Sequence, residues 1–255
     1  MPIAIVTGAS SGLGRAYARA LSREPEIREI WAVARREDRL RELEALCACP
    51  VRAIPLDLTD PDAPGRLQAL LEAERPEVSA LVCAAGFGKM GDTVAVSPRD
   101  NADMIDLNCR AAVAVTLACL PWMRQGGRIL EICSTSAFSP MPGLNVYAST
   151  KAFLLQFTRT LRYELRKTGI HVTAVCPYWI LDTEFIPTAQ DGKQGSYRRF
   201  PLANRTEEVV ERSLRASRLD RAVCTPGLVC TLHRAGAKLL PAALLTRAGD
   251  LLRRL

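Results

Sequence analysis

Thr7-Gly8-Ala9-Ser10-Ser11-Gly12-Leu13-Gly14 stands between an apolar run, Ile3-Ala4-Ile5-Val6, and a segment over 13–23 with helical apolar spacing. A strand that turns through glycines straight into a helix is the frame of a dinucleotide cradle. Gly8 allows the tight turn, and Gly12 lets a pyrophosphate approach the backbone. Gly14 permits the helix to pack closely on the strand. Free N–H groups and the helix dipole at this N-terminus favour an anion. The spacing is G-x-x-x-G-x-G rather than G-x-G-x-x-G, so the strand–turn–helix context carries the reading.

Outward from this turn, short apolar runs alternate with helix-type segments. Strands are expected over 3–6, 29–34, 51–55, 80–83, 128–133, 171–176 and 222–225. Helices are expected over 13–23, 37–46, 63–74, 101–124, 146–167 and 207–218. Repeated β-α-β units with near-continuously apolar strands predict an α/β fold, a doubly wound parallel sheet (Rossmann fold) covered on both faces. The 255 residues make one large domain, 1–255. The rhythm breaks over 177–203, where Pro187, Gly192, Gly195 and Pro201 fall among polar residues. A loop this long in a compact domain is usually functional, and it reads as a substrate-binding lid. The tail over 239–255 carries Leu244, Ala248, Leu251, Leu252 and Leu255 on one side of a helical wheel. Arg247, Asp250, Arg253 and Arg254 lie elsewhere on it, which makes an amphipathic helix. Its apolar side is expected to pack on the domain or on another subunit; a basic helix lying on a membrane surface or closing the lid is the alternative.

At the end of the second strand, where an NAD-binding fold places an acidic residue for the ribose hydroxyl, stand Ala34-Arg35-Arg36. Two guanidiniums cannot accept that hydroxyl's hydrogen bond, but they match a 2′-phosphate. The expected cofactor is NADP(H), with Arg35 and Arg36 on the phosphate.

The chain is 48% hydrophobic and 24% charged, an ordinary globular balance. Its net charge of +7 comes from arginine, since only five of the 34 basic residues are lysine. They are scattered rather than clustered, which favours a solvated surface over a nucleic-acid groove. The nine cysteines include no Cys-x-x-Cys, and His171 and His233 are the only histidines, so no metal site is expected. An odd count without a framework suggests a reducing cytoplasm. The N-terminus shows no charged-then-apolar leader. No stretch of eighteen uninterrupted apolar residues suggests a membrane span.

Tyr147 and Lys151, in Asn145-Val-Tyr-Ala-Ser-Thr-Lys-Ala-Phe153, are four residues apart and so share one helix face. A Tyr-x-x-x-Lys match alone is a weak signal. Ser134 precedes Tyr147 by thirteen residues, and the cradle lies upstream.

Taken together, these ordered motifs resemble the short-chain dehydrogenase/reductase family of single-domain, roughly 250-residue enzymes. The resemblance spans almost the whole chain. Asp57-Leu58-Thr59 matches the family's adenine-contacting segment, and Cys83-Ala84-Ala85-Gly86 occupies the place of its Asn-Asn-Ala-Gly. Asn108 matches its helix asparagine, Ser134 its serine, and Tyr147-Ala-Ser-Thr-Lys151 its central motif. Thr225-Pro226-Gly227 resembles the branch with a leucine-rich C-terminal helix. The resemblance implies that Thr7, Gly8, Ser10, Ser11, Gly12, Leu13 and Gly14 bind the cofactor. Leu58, Ala84, Ala85, Gly86, Pro177 and Thr183 join them, with Tyr147 and Lys151 at the nicotinamide end. Asn108, Ser134, Tyr147 and Lys151 form the catalytic set.

The chemistry fits. A free tyrosine has a pKa near 10. The Lys151 ammonium and a positive nicotinamide ring would favour its phenolate, making Tyr147 the acid in reduction and the base in oxidation. Ser134 would hydrogen-bond the substrate oxygen. Asn108 would organise a water-linked proton path behind Lys151. Thr135 and Ser136 also follow the strand, but spacing favours Ser134. Cys133 has no base beside it in the sequence and reads as a buried thiol. Asp182 and Glu184 read as solvated loop carboxylates.

Two departures stand out. Ala84 removes a bracing amide, and Tyr178 replaces the glycine expected after Pro177. The stretch Ile180-Leu181-Asp182-Thr183 is one residue longer than usual. Tyr178, Trp179 and Phe185 are then expected to build an apolar substrate wall. The expectation is an NADP(H)-dependent oxidoreductase for a carbonyl or secondary alcohol, steroid-like or fatty. A non-catalytic NADP-binding sensor is the alternative. The family usually forms dimers or tetramers through the helices over 101–124 and 146–167.

Overall fold

Strands that are apolar on both faces can be satisfied only by a sheet covered on both sides. The computed structural model, which describes residues 1–190, 197 and 200–254, has that sheet. Its strands are β1 Pro2–Thr7, β2 Glu29–Ala34, β3 Val51–Pro55, β4 Glu77–Cys83, β5 Met123–Ile132, β6 His171–Val175 and β7 Val223–Cys224. They run parallel in the order β3-β2-β1-β4-β5-β6-β7. The helices are α1 Gly12–Leu21, α2 Glu37–Arg41, α3 Ala63–Glu74, α4 Pro98–Ile105, α5 Ala112–Cys119 and α6 Asn145–Glu164. They continue as α7 Phe185–Gln190, α8 Thr206–Arg218, α9 Leu228–Leu239 and α10 Ala242–Arg254.

Alternating side chains divide between two cores. Ala4, Val6, Ile30 and Ala32 meet Tyr17 and Leu21 of α1 and Val209 and Leu214 of α8. Ile3, Ile5, Trp31 and Val33 meet Leu67 and Leu71 of α3, Val115 of α5 and Leu161 of α6. Strand order reverses between β1 and β4, which opens a crevice at the carboxyl ends of those strands.

Several boundaries differ from expectation. The helix over 37–46 ends at Arg41 and gives way to turns. The helix over 101–124 starts three residues earlier on a Ser97 cap, where the side chain accepts from Asp100 N. It passes through a π-helical turn, Asp106–Ala111, and closes in a 3₁₀ turn at Pro121, so Met123 and Arg124 already belong to β5. This composite run, Pro98–Trp122, is long and apolar enough to cross a bilayer, but half of it is buried within the protein.

The segment over 177–203 is not all loop, because α7 lies within it. Residues 191–196, 198 and 199, including Gly192 and Gly195, lie outside the described residues. The tail is two helices rather than one. Pro241 interrupts it, α9 precedes it, and α10 begins at Ala242. Leu255 lies outside the described residues. The expected packing of the leucine face on the domain is also not found: Leu244 and Leu251 are exposed, while Arg253 reaches inward to Asp92.

Candidate active site

The cradle forms at the crevice. Gly8 and Gly12 adopt φ of +66° and +48°, a left-handed region open to glycine. A Cβ on Gly8 would sit 2.9 Å from the backbone of Ala85, and one on Gly14 would sit 2.2 Å from Gly8 O. Helix α1 has no side-chain N-cap, so its first N–H groups remain for an anion. Ser10, Ser11, Gly12, Leu13 and Gly14 line a cleft of about 730 Å³. Arg35, Arg36, Asp57, Leu58, Ala84, Ala85 and Gly86 line it too, with Pro177 and Thr183. Thr7 is the exception: it is buried, and its hydroxyl accepts from Ala85 N at 3.1 Å, tying β1 to the loop after β4.

Arg36 donates to Ser10 Oγ at 3.2 and 3.3 Å and to Glu184 at 3.1 Å. Arg35 lies 3.8 Å from Asp57, whose Oδ1 is turned to Thr59 N and Oγ1. Glu184 is exposed, as expected, and its hydrogen bond from Arg36 holds it below the usual range. Asp182, also exposed, accepts from Thr206 N and Oγ1 and so caps the start of α8.

At the other end, β5 delivers Ser134 into a 3₁₀ turn, Thr135–Phe138. Ser134 Oγ accepts from Ser136 N at 3.1 Å, and Ser134 lines the cleft together with Tyr147. The hydroxyls of the sequence alternatives, Thr135 and Ser136, are buried. Helix α6 carries Tyr147 and Lys151 onto the cleft wall beside Ser134. Lys151 Nζ donates to Ile132 O at 2.7 Å and lies 5.7 Å from the Tyr147 ring centroid.

The protein alone does not make Tyr147 acidic. Burial pushes the phenol well up, by more than the neighbouring Ser134 hydroxyl lowers it. Burial also lowers the Lys151 ammonium. The expected phenolate draws on Lys151 together with a positive nicotinamide ring; in the protein alone, desolvation outweighs the cation, whose Nζ is turned to a carbonyl.

Asn108 sits in the π-helical turn, fully buried. Its amide accepts from Phe87 N at 3.0 Å and donates to Phe87 O at 2.9 Å and Thr150 Oγ1 at 3.1 Å. The side chain thus braces the loop after β4, taking over from the missing amide at Ala84. A Cβ on Gly86 would come within 2.9 Å of Asn108 Oδ1 and 3.4 Å of Lys151 Nζ, so glycine keeps this corner open.

The cleft beside Tyr147 has an aromatic wall. Phe185 packs on Tyr147 with ring centroids 5.3 Å apart, and Trp179 stacks with Tyr197 and Phe200 at 5.4 and 4.8 Å. Tyr178, Trp179 and Phe185 line the cleft, together with Phe87, Met141 and Leu144. The Tyr178 backbone is held by Asn204 Oδ1 at 3.2 Å, and Asn204 Nδ2 is held in turn by Pro226 O at 2.8 Å. Thr225-Pro226-Gly227 thereby supports the long loop from beneath.

Two features carried no sequence signal. Glu131 in β5 is fully buried opposite Cys83; Thr116 Oγ1 donates to its Oε1 at 2.6 Å, and its Oε2 has no partner. Burial pushes this carboxyl up to about 7. Helix α9 docks on the turn after Ser134 through His233, whose ring bonds Ser139 Oγ at 2.9 Å and meets Phe138 edge-on.

Comparison with known proteins agrees with this geometry. The profile of the short chain dehydrogenase family matches residues 2–194. An NADP-dependent 3-hydroxy acid dehydrogenase of Escherichia coli is 34% identical over 215 residues, covering 82% of this chain and 86% of the relative. Among solved structures, a short-chain dehydrogenase from Sphingobium yanoikuyae in complex with NADPH superposes with TM-score 0.77 at 29% identity. The match covers 94% of this chain and 95% of that one. A bulky-bulky ketone specific alcohol dehydrogenase from Comamonas testosteroni gives TM-score 0.73 at 26% identity, covering 94% and 93%.

Proposed function

Because the chain belongs to the short chain dehydrogenase family, we propose that Ser134, Tyr147 and Lys151 interconvert an apolar secondary alcohol and its carbonyl compound. The protein is an oxidoreductase that uses NADP(H). Its own residues fit that cofactor: a glycine turn that a Cβ would fill, an uncapped helix start, and Arg35 and Arg36 on the same cleft wall. When bound, NADPH supplies the hydride. Ser134 Oγ donates to the substrate oxygen as charge gathers there. Tyr147 gives that oxygen its proton, and its elevated pKa suits it to be the acid at neutral pH. Lys151, anchored at Ile132 O, has further N–H groups for the ribose hydroxyls. Asn108 holds the loop against which this end of the cleft is built.

One observation carries the reading: Ser134, Tyr147 and Lys151 line the same cleft that the glycine turn opens. An acid–base set aimed into a dinucleotide cleft is superfluous to a sensor.

The 2′-phosphate assignment predicts that Arg36→Ala weakens NADPH binding by about 10- to 100-fold, the scale of one charge-assisted contact, with NADH binding nearly unchanged. Fluorescence titration checks it, and equal wild-type affinities for the two cofactors would count against it.

The substrate is tested with a panel of ketones and oxo acids, following NADPH absorbance. The aromatic wall predicts that bulky apolar ketones exceed small oxo acids in kcat/KM by about tenfold or more. A hydroxy acid is the second reading, favoured by Lys89 on the cleft wall. It prevails if the order is reversed.

A further inference from the structure

The last two helices turn their leucines to solvent. Along α9, Leu228, Leu232 and Leu239 recur at positions that share one helix face, opposite the side that buries Cys230. The stripe continues through the joint at Leu240 and onto Leu244 and Leu251 of α10. These six side chains are 50% to 82% exposed, and they are six of the sixteen large apolar residues exposed among the described residues. Isolated exposed leucines need no explanation, but a run of them along two consecutive helices does.

Charge says what covers the run. After Cys224 the sequence holds five Arg and Lys and one acid, Asp250. That acid is paired with Arg253 at 3.0 Å. Lys238 and Arg247 flank the leucines on their exposed side. A second copy of the same face would bring these cations against their own kind, since a two-fold contact is self-complementary. A surface of negative charge over hydrocarbon satisfies both the cations and the leucines.

We propose that the outer face of α9 and α10 seats on an anionic lipid bilayer. The position gives this a use. The inner side of α10 packs on the loop that contains Pro142 and Gly143, and the neighbouring Met141 lines the cleft. Helix α9 packs on the turn that follows Ser134. A bilayer held by these helices lies beside the walls of the apolar substrate end, where a lipid-dissolved carbonyl compound would enter.

The test is co-sedimentation of the full chain with vesicles. One set is equimolar phosphatidylcholine and phosphatidylglycerol; the other is phosphatidylcholine alone. The protein should pellet with the anionic set and not with the neutral one, and release as NaCl rises from about 0.05 to about 0.5 M. Leu232→Ser/Leu244→Ser, two exposed sites remote from the chemistry, should lower partitioning about tenfold or more while NADPH binding persists. Lys238→Glu/Arg247→Glu should weaken it too, with the leucines intact. Protein left in the supernatant with anionic vesicles at low salt overturns the proposal. So does equal binding to neutral vesicles, or undiminished binding of the leucine variant. A dimer that binds no vesicles and dissociates in the leucine variant overturns it in favour of a contact between copies. These readouts do not use turnover, so a wrong substrate assignment leaves them standing.

Discussion

Tyr147→Phe should lower kcat for carbonyl reduction by roughly 10³-fold, within the range expected for loss of a positioned general acid. NADPH affinity should change less than about threefold, because the phenol lies at the Ser134 end of the cleft and the proposed phosphate contacts lie at Arg35 and Arg36. The ring remains to pack on Phe185, so the substrate wall is kept. Stopped-flow reduction and a parallel binding titration separate the two effects. Near-normal turnover in the variant removes Tyr147 from the mechanism and restores the non-catalytic sensor as the better reading. The elevated pKa adds a direction to this result. The phenol stays protonated at neutral pH in the protein alone, so alcohol oxidation should quicken as pH rises while reduction does not.

Glu131→Gln should stabilise the protein at pH 8 and do little at pH 5. Burial raises the folded carboxyl to about 7 from an ordinary value of 4.5. The fold therefore prefers the protonated form. Its contribution to stability is complete below the unfolded value and is lost as pH rises through the folded one. A difference of that size corresponds to about 3 kcal/mol at alkaline pH. Gln keeps an acceptor for Thr116 and never ionises. The gain at pH 8, on the order of 10 °C in Tm for a domain of this length, should vanish toward pH 5. Urea denaturation of both proteins at the two pH values checks it, because every other titrating group cancels in the comparison. A variant destabilised equally at both would mean that Glu131 is ionised and paired in the fold.

Much of the site could be read without coordinates, for a physical reason. Gly8 and Gly12 declare a backbone conformation that other residues resist, and Gly14 declares a close approach. Tyr147 and Lys151 share a helix face by spacing alone. Arg35 and Arg36 follow directly from the end of a recognisable strand. Sequential β-α-β order then leaves few topologies open. These signals are local: each is complete within one or two turns of chain.

What failed was non-local. Thr7 was assigned to the cofactor, yet its hydroxyl is taken by Ala85, 78 positions on. Nothing local showed that Glu184 would meet Arg36, 148 positions away. The Tyr147 pKa followed burial rather than its helical neighbour. Nothing local showed that Asn108 would hold the loop of Phe87.

The sequence by itself determined the class of fold, the glycine turn, the choice of phosphate-bearing cofactor and the residues proposed as the acid–base pair, because glycine sterics, helical periodicity and fixed charge act over a few residues. Only the tertiary structure decided that Glu131 is a buried acid, that Tyr147 starts out protonated, and that the C-terminal leucines face outward. Desolvation and exposure belong to the packed whole: they depend on which distant segments close over a side chain, and no window of sequence contains both partners.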